Sequence, residues 1–164
     1  MRNSILLLFI ILCFSCKAKK EVEVSKKENT IGIVSVSKDR PVAMANWSFT
    51  KLKTEVPNEY IVEAKLQLAK HWHIFDFEPG GDGLLIAPEF NFDNSAILIL
   101  KKEAEGELIS DQISGMGNVR YYEDEVSFKV LVRSNTEVIK GSVYYQLCDE
   151  EKCMAPSEEL FNLK

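Results

Sequence analysis

Polar and apolar positions alternate along most of the chain beyond residue 41. The cleanest stretch is Glu59 to Leu68, where Tyr60, Val62, Ala64, Leu66 and Leu68 fall on one face and Glu63, Lys65 and Gln67 on the other. Period two over that length marks a half-buried strand. Val126, Phe128, Val130 and Val132 alternate in the same way with Ser127, Lys129, Leu131 and Arg133, and Val143, Tyr145 and Leu147 with Tyr144 and Gln146. Weaker strand patterns cover Trp47 to Lys53, Trp72 to Phe77, Leu84 to Phe92, Ala96 to Leu100 and Leu160 to Leu163, with a turn at Glu78-Pro79-Gly80-Gly81-Asp82-Gly83. No window carries the 3.6-residue period of an amphipathic helix. Seven to nine short strands with turns between them predict an all-β domain, an antiparallel β-sandwich. No internal repeat and no second domain boundary is visible.

The first residues follow another pattern. After Arg2, Ile5 to Phe14 is an unbroken apolar run. It falls well short of the roughly 20 residues that span a bilayer and reads as the hydrophobic part of a secretory signal peptide covering residues 1–15. The sequence Leu12-Cys13-Phe14-Ser15-Cys16-Lys17 resembles the lipobox of bacterial lipoproteins, with Cys13 where leucine is usual. That resemblance implies cleavage before Cys16 and a lipid on its thiol. Residues 16–40 are rich in Lys and Glu and contain no aromatic side chain. They read as a mobile tether that lets a membrane-anchored domain, residues 41–164, reach its partners.

Composition narrows the field. A chain of 164 residues suits one domain and excludes a multi-domain enzyme. With 20 basic against 25 acidic residues the formal charge is −5, which argues against nucleic acid as a partner. A hydrophobic share of 46% excludes global disorder. Export would place the cysteines in an oxidising compartment, where disulfides persist.

The strongest chemical feature is Tyr145-Gln146-Leu147-Cys148-Asp149-Glu150-Glu151-Lys152-Cys153-Met154-Ala155-Pro156. Two cysteines follow a strand and precede a proline, a spacing that suits a small loop closed by a disulfide. A structural staple is one reading. Loop entropy makes it a weak one, because closing so short a loop stabilises by only about 2 kcal/mol, against about 4.7 for a 100-residue loop. A redox pair is the other. Asp149, Glu150 and Glu151 oppose Lys152 alone within the loop. Such a surplus of negative charge disfavours a thiolate, so the pair suits receiving attack from a partner's thiolate better than delivering it.

Other candidates carry less. His71 and His73 could join the two cysteines in a metal site, but neither spacing matches a common finger and no helix follows. The two histidines are expected to be a packed, hydrogen-bonded pair beside Trp72. Gly80-Gly81-Asp82-Gly83 lacks the strand–loop–helix context of a phosphate loop. Glu123, Asp124 and Glu125 read as a solvated turn.

Trp47-Ser48-Phe49, Trp72-His73-Ile74-Phe75, Pro79-Gly80-Gly81, Pro88-Glu89-Phe90, Gly115-Met116, Tyr121-Tyr122-Glu123-Asp124-Glu125 and the cysteine loop ending at Pro156 occur in that order. Together, from about Pro41 to the end, they resemble the N-terminal periplasmic domain of the transmembrane thiol:disulfide interchange reductase DsbD. The resemblance implies an immunoglobulin-like antiparallel β-sandwich with Cys148 and Cys153 as its redox-active pair. It implies electron relay between thioredoxin-like periplasmic proteins or domains, a thiol:disulfide oxidoreductase activity exercised with partners, and no cofactor or metal. It places a cap loop at Ser114, Gly115, Met116 and Gly117, with Met116, a soft apolar side chain, where the family carries an aromatic. The family's membrane-embedded and thioredoxin-like domains are not in this sequence, and a lipid on Cys16 would supply the tether at the periplasmic face of a bacterial membrane. A monomer is expected. The alternative is a non-enzymatic immunoglobulin-like interaction domain with a structural disulfide.

Overall fold

A computed structural model describes residues 44–164, so the expected signal peptide, the expected lipidation site Cys16 and the expected tether lie outside the described residues. Nine strands account for the regular structure: β1 (Ala45–Lys53), β2 (Glu59–Leu68), β3 (His73–Gly80), β4 (Glu89–Phe92), β5 (Leu98–Ile113), β6 (Gly117–Arg133), β7 (Ile139–Tyr145), β8 (Leu147–Cys148) and β9 (Ser157–Leu163). They form two antiparallel sheets, and the described residues include no helix. The larger runs β1-β2-β6-β3-β8, with β5 along β6; the smaller runs β4-β7-β9. This is the immunoglobulin-like sandwich that the alternation and the family resemblance predict.

β6 organises the larger sheet. β2 and β3 each pair with part of it, β2 from Gln67↔Glu125 to Glu59↔Arg133 and β3 at Ile74↔Tyr122 and Phe75↔Tyr121. Its even-numbered residues Tyr122, Val126, Phe128, Val130 and Val132 all enter the core between the sheets. Phe128 is the hub, fully buried, with the rings of Phe77, Tyr122 and Trp47 at 5.2, 6.0 and 6.2 Å. The odd-numbered residues face outward, where the Ser127 hydroxyl donates to Glu63 at 3.0 Å.

Four expectations change, the first being that Glu123, Asp124 and Glu125, read as a turn, lie within β6 as exposed strand residues, with Asp124 in the left-handed region (φ 54). The strand expected from Leu84 to Phe92 begins only at Glu89, because Gly83 (φ 86) turns the chain and Leu85 folds back against Val119. The short strand expected at Ala96 to Leu100 is the start of β5, which runs on to Ile113. Lys101, Lys102, Glu103, Glu105 and Glu107 hid it, since β5 stays largely exposed and shows no period-two contrast. His71 precedes β3 in a turn, exposed and in the left-handed region (φ 70), so it does not share a strand face with His73 and the expected packed pair is not formed.

The chain changes sheets at Gln146. β7 belongs to the smaller sheet, and β8, one residue later, pairs with His73 and Ile74 of the larger. Leu147 thereby enters the core and Cys148 faces out on the opposite side of the same sheet.

Buried Asp76 receives a hydrogen bond from the Tyr122 hydroxyl at 3.2 Å and an ion pair from Arg120 at 2.5 Å. Burial, then the Asp76 charge and hydrogen bond, push the Tyr122 pKa up to about 12. A tyrosine whose folded pKa lies above its unfolded value near 10 favours the fold fully below pH 10 and loses that advantage as pH rises toward 12. Stability measured by urea unfolding should therefore fall between pH 10 and 12, and less steeply in Tyr122→Phe. Phe128→Ala should cost about 3–5 kcal/mol at neutral pH in the same assay, as for other buried aromatic truncations.

Candidate functional site

Cys148 and Cys153 are joined by a disulfide, with their Cα atoms 3.9 Å apart. The loop that carries them is a minimal hairpin. The Asp149 N–H donates to the Lys152 carbonyl at 2.9 Å and the Met154 N–H to the Leu147 carbonyl at 2.8 Å. These bonds flank an antiparallel Cys148↔Cys153 bridge. The cysteines therefore occupy a directly opposed, non-hydrogen-bonded pair, the position where facing side chains come closest.

The loop tip is fixed by its own first residue. The Asp149 carboxylate accepts the N–H groups of Glu151 at 2.9 Å and Lys152 at 2.8 Å, an Asx-type closure. Those bonds hold the Asp149 carboxyl below the usual carboxylate range. Gln146 clamps the return strand by donating to the Met154 carbonyl at 2.9 Å.

The two sulfurs have unlike surroundings. Cys148 is 2% exposed and packs with Phe75 and Val119, with Leu85 and Tyr121 against them. Cys153 is exposed. A small apolar cluster on the outer face of the larger sheet thus holds one sulfur and presents the other.

His73 stands directly opposite Cys148 in the β3–β8 pairing. Its ring lies 4.6 Å from that of Tyr121 and 5.6 Å from that of Phe75. Burial pushes its pKa down, and the Asp149 charge partly opposes this. Burial, then the charges of Glu123, Asp111 and Glu150, push the Tyr121 hydroxyl up. Carboxylates from β5, β6 and the cysteine loop therefore converge on one region. Among the described residues, no group of three or more His, Cys, Asp or Glu is placed to hold a metal ion.

Ser114, Gly115, Met116 and Gly117 lie at the tip of the β5–β6 hairpin, where the Met116 N–H donates to the Ile113 carbonyl at 3.1 Å and Gly115 and Gly117 take left-handed φ values of 86° and 92°. Met116 is 37% exposed. The tip lies next in sequence to Asn118 and Val119, the latter packed with Cys148. Sequence reasoning missed Leu85 and Val119 as cover for the disulfide. Val119 follows from the odd-numbered outward face of β6; nothing in the sequence marks Leu85.

A family model described as the N-terminal region of the thiol:disulfide interchange protein DsbD matches residues 43–164. The chain belongs to the DsbD N-terminal family. Among solved structures, it is similar to the N-terminal periplasmic domain of ScsB from Proteus mirabilis, at 21% identity and a TM-score of 0.59, covering 76% of this chain and 48% of that one. The chain thus spans about half the length of that structure, and the likeness is one of fold. It is also similar to the reduced DsbD N-terminal domain of Neisseria meningitidis, at 18% identity and a TM-score of 0.45, covering 62% of this chain and 74% of that one. No curated protein matches the sequence. The family model covers the Cys148–Cys153 disulfide within its match.

Once the disulfide is reduced, a short pulse of a bulky maleimide should modify Cys153 before Cys148, as read by peptide mass mapping. The acidic rim should set the midpoint pH of that reaction above the ordinary thiol value of about 8.5. Equal labelling, or a midpoint below pH 7, would contradict the geometry.

Proposed function

We propose that this domain relays electrons through the Cys148–Cys153 pair between thioredoxin-like partners in the bacterial periplasm, held at the membrane by a lipid on Cys16. The observation that carries the reading is the pairing of an exposed sulfur with a buried one in a short loop on an open sheet face. The ScsB domain, to which this chain is similar in fold, is described as periplasmic, and the apolar run before Cys16 supports export.

The exchange follows from the exposure. A partner's thiolate attacks Sγ of Cys153, the accessible end of the bond. The Cys148–Cys153 bond breaks as the mixed disulfide forms, and Cys148 leaves as a thiolate that takes up a proton. The partner's second thiol, losing its proton, then attacks the partner's own sulfur in the mixed disulfide. The partner departs oxidised, and Cys153 leaves as a thiolate and is protonated in turn. Two electrons and two protons have entered the domain. The reverse sequence hands them to the next protein. We assign the cap role to the β5–β6 hairpin tip at Ser114, Gly115, Met116 and Gly117, which lies next in sequence to Asn118 and to Val119, a neighbour of Cys148.

A relay disulfide needs a potential near those of its partners, between about −270 and −120 mV, whereas structural disulfides lie below about −300 mV. Equilibration of the full chain with glutathione buffers, followed by acid quench and mass analysis, should give a potential inside the first range. A bond that stays oxidised in every buffer would identify a structural bridge instead.

A further inference from the structure

The exchange leaves one proton without an evident handler. To reoxidise, Cys148 must lose its proton and attack the mixed disulfide at Cys153. Its thiol is 2% exposed and packed among Phe75, Val119, Leu85 and Tyr121. Burial disfavours a thiolate, and so do the Asp149 and Glu150 charges beside it. Lys152, the cation of the same loop, is exposed. Nothing in this setting ionises Cys148 at neutral pH unaided.

The row of residues across the sheet supplies a base. His73 pairs with Cys148, and Cys148 with Cys153. Directly opposed residues point their side chains to the same face, with Cβ atoms about 4.5–5.5 Å apart, which puts an imidazole within reach of a facing thiol. Tyr121 and Phe75 pack against the ring. The charged and titratable groups around it are Asp149 on the loop and Tyr121 on β6, with Asp111, Glu123 and Glu150 acting on Tyr121. We propose that His73 is the general base for Cys148: it takes the Cys148 proton as that sulfur closes on Cys153. This inference rests on the exchange reading above.

The step balances. The Cys148 S–H proton passes to an imidazole nitrogen. The thiolate attacks Sγ of Cys153, forming the Cys148–Cys153 bond and breaking the bond to the substrate sulfur. The substrate leaves as a thiolate and receives a proton from the imidazolium or from water. Burial keeps His73 neutral and ready to accept near pH 7, and the fixed Asp149 carboxylate favours the imidazolium once formed.

The test separates the two chemical steps. The reduced full chain, in detergent, is mixed with oxidised glutathione, quenched in acid at intervals, and the Cys153–glutathione adduct and the closed disulfide are quantified by mass. Adduct formation depends on glutathione concentration; closure does not. His73→Gln should leave adduct formation unchanged and slow closure roughly 100-fold at pH 7, within the range of general base catalysis. Wild-type closure should level off by pH 7, whereas closure in the variant should climb about tenfold per pH unit toward the thiol pKa. Equal closure rates and profiles, both steps slowed alike, or a wild-type closure rate that climbs steadily past pH 8 would each overturn the role of His73. Failure of the wild type to form any adduct would overturn the exchange reading itself.

Discussion

The site depends on a single alternation at the point where the chain leaves one sheet for the other. Leu147 is drawn into the core between the sheets, and its neighbour Cys148 must then face the other way. Pairing of Ile74 with Leu147 and of His73 with Cys148 fixes that choice on the neighbouring strand too, because both inward residues are apolar and buried. A slip of one residue would bury His73 and a sulfur in the core and expose Ile74 and Leu147. The same register that satisfies the core therefore lines up His73, Cys148 and Cys153 on the outer face.

That arrangement gives the two cysteines unlike surroundings, Cys148 buried and Cys153 exposed. The loop needs few residues because the hairpin brings the sulfurs together through backbone hydrogen bonds, and Asp149 closes its tip with its own carboxylate. So small a loop adds only about 2 kcal/mol to the fold. The core around Phe128 provides a far larger contribution, so the bond is free to open and close without the sandwich depending on it. The satellite cluster of Phe75 and Val119 packs around Cys148.

Much of this was legible in the sequence because the central strands are half-buried. Tyr60 to Leu66 and Val126 to Val132 alternate cleanly, and every one of their even-numbered residues is in the core. β5 was not legible, since an edge strand with charged residues on both faces obeys no burial contrast. The cysteine pair and its acidic loop could be read directly. The burial difference between the sulfurs could not, because it arises from Leu85, Val119 and Tyr121, brought together by a turn and by β6 at a distance in sequence. The histidines show the same limit: spacing made His71 and His73 look equivalent, and the turn before β3 separates them.

In the exchange we propose, Cys153 meets the partner and Cys148 resolves the complex. The most direct measurement is trapping with a reduced thioredoxin-like protein that lacks its second cysteine. It is mixed with the Cys148→Ala and Cys153→Ala variants, each first activated at its remaining cysteine as a glutathione mixed disulfide. A protein–protein disulfide should form rapidly through Cys153 in Cys148→Ala, and little should form through the enclosed Cys148 in Cys153→Ala. Equal trapping through both cysteines, or trapping through Cys148 alone, would contradict it.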